Sequence, residues 1–437
     1  MPRFAMLLAA LCLVQLSVQA QDKHAEDKPA VELSDDAKAL LENLDSDSDG
    51  KLVESELPER ARKSFKGFDK DGDGFLTGEE LNSAGKAAAA LKAAADKKNK
   101  PANNGKKMKG EYTADEASGW YLEAARDYHA MTHGEALLIM KDGKVLLEAN
   151  DNGYDGKTEH LLASGTKSFS GIVAALMVEE GLLQWDELAC ETITEWKGDS
   201  LREKITIRML LSLCAGLPPE QDALQGAQTE DKYAYAIALK CKHEPGKKFE
   251  YGPAQYYCFG ELVKRKLKDK KENLQTYFMR KVGEPLGMKL TWRSDAAGNP
   301  HIPHGVYILA SEWAKFGEWV RAGGKFGDRQ LLKQEILAEC FKPSKANKNY
   351  GLTWWLGGGR DDDATGKSDS EETPETDDST PAGIPNDLVY AAGKGKQHLF
   401  ISREKGLTIV RLANDTKSFD KADFFSYLMR GKKAAAK

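Results

Sequence analysis

The chain is poor in cysteine, in net charge and in long apolar runs. Six cysteines among 437 residues are too few for a disulfide scaffold. A net charge of −5 gives no excess of positive charge, which argues against a general affinity for nucleic acid. The apolar stretch at 4–16 is too short to span a bilayer, and no other stretch is a candidate. We therefore expect neither nucleic-acid binding nor stable membrane insertion.

The first twenty residues have the pattern of a signal peptide. Arg3 provides a basic start, an apolar region follows at 4–16, and small residues precede a cleavage site after Ala20. This pattern predicts export, to the periplasm or beyond the cell. Cleavage would remove Cys12 and leave five cysteines, an odd number, so at least one thiol has no intramolecular partner.

Two acidic loops lie close together near the N-terminus. Residues 45–56 and 69–80 each place carboxylates at positions 1, 3, 5 and 12 and glycine at position 6. Hard oxygen ligands in this order predict two EF-hand loops that bind Ca²⁺ as a structural ion, in a small all-α module at 33–83. A solvated acidic loop is the alternative. The predicted ligands are Asp45, Asp47, Asp49, Lys51 and Glu56 in the first loop and Asp69, Asp71, Asp73, Phe75 and Glu80 in the second, with Lys51 and Phe75 offering backbone carbonyls. Leu52 and Leu76 at position 8 are expected to pair the loops.

Two polar segments have compositions that do not build a core. Residues 84–110 are basic, with an alanine-rich first part that can be helical and a second part that is typical of a flexible linker. This segment is either simply solvated or in contact with an anionic cell-wall polymer. Residues 360–381 are acidic and are expected to form a disordered surface insert within a later domain at 111–430, with weak calcium binding as the alternative.

The strongest chemical signal is Ser164 followed three residues later by Lys167 at the start of an apolar helix. Positions i and i+3 share one face of a helix, so the hydroxyl and the amine are expected to meet. A serine hydroxyl needs a base to become a nucleophile, and a lysine with a lowered pKa can serve.

The surroundings of this pair resemble the β-lactamase-related serine hydrolases, which include class C β-lactamases, D-Ala-D-Ala carboxypeptidases and esterases. After Ser164 and Lys167, the resemblance continues in Leu213-Cys214-Ala215-Gly216-Leu217 and in Pro245-Gly246 followed by Tyr251. It covers about residues 110–430. It implies an α/β fold of the penicillin-binding-protein type, in which helices flank an antiparallel sheet and a helical subdomain lies between about 180 and 310.

The resemblance also implies further site residues. Tyr251 takes the position of the family's catalytic tyrosine, and a nearby cation such as Lys167 would lower the pKa of its phenol so that it can act as a general base. Gly393 and Gly395 lie where the family has the strand that edges the site and supplies one oxyanion-hole N–H. No cofactor is implied for catalysis.

Two departures from the family pattern point to an altered substrate. Pro253 replaces the asparagine whose amide binds the acylamino side chain of penicillins and peptides, and no intact Lys-Thr-Gly is present. We therefore expect a serine hydrolase, esterase-like by preference, that acts on a small ester, amide or peptide. A β-lactamase or D-Ala-D-Ala carboxypeptidase is one alternative. A binding protein that has kept the fold and lost the chemistry is the other.

Overall fold

A computed structural model describes residues 31–45, 49–57, 59–98, 108–226, 229–357, 383–414 and 418–434. The predicted signal peptide, Asp47 and the acidic insert at 360–381 lie outside these ranges. The chain divides into two compact units. One holds the residues up to Gly105 with 225–231 and 294–298, and the other holds 106–224, 232–293 and 299–437. No helix in the described ranges is both long and apolar enough to cross a membrane.

In its described residues between 31 and 98, the first unit shows three α-helices and one pair of short strands. Helix α1 is capped by Ser34, a preferred residue type at this position, whose side chain accepts a hydrogen bond from the Ala37 N–H. The short strands pair antiparallel with Leu52 opposite Leu76, which confirms the expected link between the two loops. The elements are α1 Asp35–Leu44, β1 Leu52–Val53, α2 Glu59–Phe68, β2 Phe75–Leu76 and α3 Gly78–Lys98. Because α3 reaches Lys98, the alanine-rich first part of the basic segment is helical.

The second unit is built on a six-stranded antiparallel sheet in the order β10-β11-β12-β13-β3-β4. The Lys-Asp-Gly-Lys sequence at 141–144 is a hairpin signal, and the apolar runs on each side of it form two neighbouring strands of this sheet. The strands between 389 and 413 lie in the same sheet. The strands are β3 Gly134–Lys141, β4 Lys144–Asn150, β5 His160–Leu161, β6 Leu290–Trp292, β7 Val306–Ile308, β8 Lys325–Phe326, β9 Arg329–Gln330, β10 Trp355–Leu356, β11 Val389–Gly393, β12 Gln397–Ser402 and β13 Leu407–Ala413.

Helices cover both faces of this sheet. Leu399 and Phe400 are neighbours on β12, so their side chains point to opposite faces. Leu399 lies against Gly317 of helix α11, whereas Phe400 contacts Phe424 of helix α13 at a ring distance of 6.3 Å. The helices of this unit are α4 Leu122–Met131, α5 Ser168–Glu179, α6 Ile207–Leu211, α7 Gln221–Gln225, α8 Lys232–Ala238, α9 Ala254–Lys266, α10 Leu274–Phe278, α11 Ala310–Arg321, α12 Gln334–Ala338 and α13 Lys421–Arg430. The run α6–α10 forms the predicted helical region between 180 and 310. The α/β fold expected from the sequence is therefore confirmed.

Candidate active site

The serine and the lysine lie on a tight turn rather than on the α-helix that the sequence suggested. Residues Ala163–Lys167 form a 3₁₀ helix that leads directly into α5. Three residues complete a turn in this geometry, so positions i and i+3 still lie above one another. Ala163, just before the serine, has a φ of 45°, a left-handed conformation that costs a non-glycine residue of order 1 kcal/mol. The turn is thus strained where it presents Ser164.

Strand β7 holds this turn at both ends. The Leu162 N–H donates to the Val306 carbonyl at 2.9 Å, and the Val306 N–H donates to the Thr166 hydroxyl at 3.2 Å. Thr166 is fully buried, and the indole of Trp313 lies against Gly165 from the other side. These contacts fix the backbone on each side of Ser164, which is what a nucleophile needs for a reproducible angle of attack.

The predicted pair meets. The Lys167 ammonium nitrogen lies 3.0 Å from Ser164 Oγ and 3.0 Å from the carbonyl oxygen of Pro303. Lys167 is 4% exposed, and this burial lowers the pKa of its amine to about 7. A substantial fraction of the amine is therefore neutral near pH 7, with a lone pair that can accept the Ser164 proton. The Pro303 carbonyl had no signal in the sequence, because a backbone acceptor supplied by a distant loop leaves no residue pattern.

Tyr251 is also brought to the serine. Its phenol lies near enough to the Ser164 hydroxyl for the two groups to interact, and the Lys167 nitrogen lies 4.9 Å from the centroid of its ring. The expectation that Lys167 would lower the phenol pKa was wrong. Loss of water around the phenol dominates and raises the pKa of Tyr251 to about 12. Tyr251 is therefore a protonated phenol at neutral pH, which can donate a proton but is a poor base.

Gly393 approaches the nucleophile turn, whereas Gly395 does not. A Cβ atom on Gly393 would lie 2.0 Å from the carbonyl oxygen of Leu162 and 3.1 Å from the Gly165 nitrogen. The end of β11 thus packs directly on the backbone that carries Ser164. Gly395 lies in the turn between β11 and β12, with a φ of 86°, and its missing side chain would face Gln397 and the Ala413 carbonyl.

Replacement of Gly393 by alanine is expected to slow acylation of Ser164 by about 100-fold, the scale of an ångström misplacement in an active site. The added methyl group would collide with backbone rather than with a flexible side chain, so β11 or the 3₁₀ turn must move. The measurement is the rate of covalent labelling by a fluorophosphonate. Gly110→Ala is the control, because a Cβ there meets nothing within 4 Å. Equal rates in the two variants would show that β11 does not position the nucleophile.

The next amide along the chain does not take the place of the missing family asparagine. Pro253 directly precedes α9, and the next amide in the chain is Gln255, which is buried. Gln255 Oε1 accepts from the Ala215 N–H at 2.7 Å, and its Nε2 donates to the Glu250 carbonyl at 3.0 Å. Both ends of this amide therefore serve the backbone, and neither is available to a substrate amide.

The second acidic loop gathers its carboxylates. Asp69, Asp71 and Asp73 place oxygen atoms within 4.8 Å of one another, and Glu80 Oε1 accepts from the Lys70 N–H at 2.7 Å. Phe75, at the start of β2, donates its N–H to Asp73 at 2.8 Å.

In the first loop, Asp45 accepts from the Gly50 N–H at 2.9 Å, Asp49 from the Lys51 N–H at 2.8 Å and Glu56 from the Val53 N–H at 3.0 Å. These bonds hold each loop closed around its acidic side chains. The carboxylate predicted at position 3 of this loop, Asp47, lies outside the described residues.

Comparison with known proteins places this site in a family. Residues 121–428 match the family described as "Beta-lactamase". Protein flp of Staphylococcus aureus (strain MW2) is 28% identical over 174 residues, which are 36% of this chain and 34% of that protein, so the match spans about a third of this relative's length.

Two solved structures share the fold. A D-stereospecific amidohydrolase from Streptomyces sp. has a TM-score of 0.53 at 13% identity, covering 71% of this chain and 99% of its own. A family VIII carboxylesterase has a TM-score of 0.52 at 15% identity, covering 71% of this chain and 96% of its own. The family match, which includes Ser164, Lys167, Tyr251 and Gly393, extends over most of the chain. The chain belongs to the β-lactamase family, whose members are serine hydrolases.

Proposed function

We propose that this protein is an exported serine hydrolase that cleaves a small ester through an acyl-enzyme on Ser164. The observation that carries the proposal is the 3.0 Å contact between Ser164 Oγ and a buried Lys167 whose pKa is lowered to about 7. A nucleophile in hydrogen-bond contact with a base of suitable pKa is the arrangement that covalent catalysis requires.

Lys167 and Tyr251 share the proton transfers of the reaction. Neutral Lys167 accepts the proton of Ser164 as its oxygen attacks the carbonyl carbon of the substrate. The oxyanion that forms is stabilised by the Ser164 N–H and an N–H at the end of β11. Tyr251, still protonated, gives its proton to the departing alkoxide and regains one from Lys167. Water then attacks the acyl group while Lys167 accepts its proton, and Lys167 returns that proton to Ser164 Oγ as the acid leaves.

An ester is favoured over a β-lactam or a peptide because the recognition of the acylamino group is lost. Pro253 has no amide to offer, and Gln255 uses both ends of its own amide within the protein. A site without these partners leaves the polar groups of a peptide-like substrate unpaired, which lowers its affinity. The carboxylesterase and the amidohydrolase with the same fold are consistent with either an ester or an amide substrate.

The decisive experiment is intact-mass measurement after exposure to a fluorophosphonate and, separately, to a penicillin. The proposal predicts that the fluorophosphonate alone adds its mass, and that Ser164→Ala prevents the addition. Labelling by both reagents would instead identify a penicillin-recognising enzyme such as a β-lactamase or carboxypeptidase. Labelling by neither would identify a binding protein of the same fold.

We also infer that the N-terminal loops bind Ca²⁺ as EF-hands. Three carboxylates within 4.8 Å in the second loop and a fourth, Glu80, at its end form the hard-oxygen donor set that this ion prefers. Gly74 has a φ of 86°, the left-handed conformation that lets the loop turn sharply at its sixth position. The ion would neutralise the repulsion between these side chains and so stabilise the fold of the module.

Removal of Ca²⁺ with a chelator is therefore expected to expose residues 33–83 to protease, and added Ca²⁺ is expected to protect them. Glu80→Gln should abolish this protection at low calcium concentration, because a ligand that can bind through both oxygens loses its charge. Glu79→Gln, one residue earlier and exposed, is the matched control and should keep it. Turnover should change less than about twofold, since all the proposed catalytic groups lie in 111–430. Equal protease sensitivity of the wild type with and without calcium would contradict the assignment.

A further inference from the structure

The ring of Tyr251 is stacked against Trp355, whose indole takes no part in the proposed proton transfers. The indole of Trp355 lies 5.9 Å from the Tyr251 ring centroid at an interplanar angle of 26°. The centroid of the same phenol ring lies 4.9 Å from the Lys167 nitrogen, and its hydroxyl interacts with Ser164. Trp355 is therefore one contact away from both the proposed nucleophile and the proposed base.

Trp355 is itself held rigidly. It is 4% exposed and is enclosed by Tyr350 at 4.8 Å and 78°, by Phe249 at 6.4 Å and 65°, and by Tyr390 at 6.4 Å and 20°. It lies on β10 directly opposite Tyr390 of β11, the strand whose last residue, Gly393, packs on the Ser164 turn. The indole of Trp355 thus contacts both Tyr251 and β11, the strand that edges the site.

We infer that Trp355 is a positioning residue, which holds the Tyr251 phenol at Ser164 and keeps water away from it. This inference rests on the proposed function. Stacked and edge-to-face contacts fix a ring in a way that an aliphatic side chain does not. A phenol that is fixed in place and shielded from water donates its proton to the oxygen that leaves the substrate rather than to solvent.

The charged and titratable groups around Tyr251 do not account for its raised pKa. Lys167 carries little charge above its pKa of about 7. Tyr256 and Tyr350 bond one another through their hydroxyls at 2.7 Å, and burial holds the pKa of each well above the usual range. The high pKa of Tyr251 therefore arises from exclusion of water. The indole of Trp355 helps to exclude water because it covers one side of the Tyr251 ring. Without that face, water would bring the pKa back toward its ordinary value of about 10.

The test compares two esters of one acid, a nitrophenyl ester and an alkyl ester. A nitrophenolate departs without a proton, whereas an alkoxide needs one from Tyr251. Trp355→Ala is expected to lower kcat/KM for the alkyl ester at least about tenfold more than for the nitrophenyl ester. Complete loss of a general acid costs about 100- to 10,000-fold, and a misplaced Tyr251 should lose part of that effect. For the alkyl ester, activity of the variant should also decline near pH 10, where the wild type remains active. Trp355→Phe should restore both properties, because it keeps a ring against Tyr251.

Controls separate this role from general stability and from the proposed function. Trp319→Ala removes an equally buried indole on α11 and should affect the two esters equally. If Trp355→Ala does not fold, as judged by its thermal melt, Trp355→Leu keeps an apolar side chain and takes its place. A wild type that is labelled at Ser164, together with variants that lose activity equally on both esters and show no alkaline decline, would overturn the role of Trp355 and leave the hydrolase intact. A wild type that is not labelled would overturn the hydrolase itself.

Discussion

Ser164→Ala is expected to abolish hydrolysis of short-chain aryl esters, by at least about 1,000-fold, while the protein stays folded. The hydroxyl is the group that would form the acyl bond, and the turn at 163–167 presents it to Lys167 at 3.0 Å. The measurements are ester turnover and the mass added by a fluorophosphonate. Ser164 is only half-buried, so the loss of one hydroxyl should leave the melting temperature nearly unchanged.

Ser170→Ala is a matched control six residues further along the same segment. Ser170 is fully buried, and its hydroxyl has no hydrogen-bond partner among the described residues. Removal of this hydroxyl should leave turnover and labelling unchanged. The fold should not become less stable, because a buried polar atom without a hydrogen-bond partner is lost. Equal turnover by Ser164→Ala and the wild type would remove Ser164 from the mechanism, and with it the acyl-enzyme.

The parts of the fold that the sequence predicts are those governed by local pattern. A Lys-Asp-Gly-Lys turn between two apolar runs indicates the hairpin of β3 and β4, and Gly181 indicates the end of α5, which stops at Glu179. The spacing of Ser164 and Lys167 predicted their contact even though the helix type was wrong, because three residues make one turn in a 3₁₀ helix and nearly one in an α-helix.

What the sequence could not predict depends on residues far apart in the chain. The left-handed Ala163 is maintained by bonds to β7, some 140 residues later, and nothing in an alanine signals it. The pKa of Tyr251 was expected to fall because a cation is near, but its sign depends on how much water the surrounding rings exclude. Those rings come from β10 and from the segment before α9, and only the folded chain shows that they meet at the phenol.

Lys167→Ala is expected to slow acylation of Ser164 by at least about 100-fold, the usual scale for loss of a general base. The pH profile of the wild type should show the same group. Burial lowers the pKa of Lys167 to about 7, so the amine is charged and unable to accept a proton below that pH and neutral above it. The labelling rate and kcat/KM should therefore rise as the pH increases through about 7 and level off at higher pH.

Lys167→Arg distinguishes a base from a mere positive charge. A guanidinium stays protonated at every pH at which the protein is folded, so it keeps the charge and removes the base. The arginine variant should be nearly as slow as the alanine variant, and its remaining activity should not rise through pH 7. Thermal melts would confirm that both variants are folded. Acylation of the arginine variant at close to the wild-type rate would show that Lys167 acts by its charge, and the proton of Ser164 would then have to go to another acceptor.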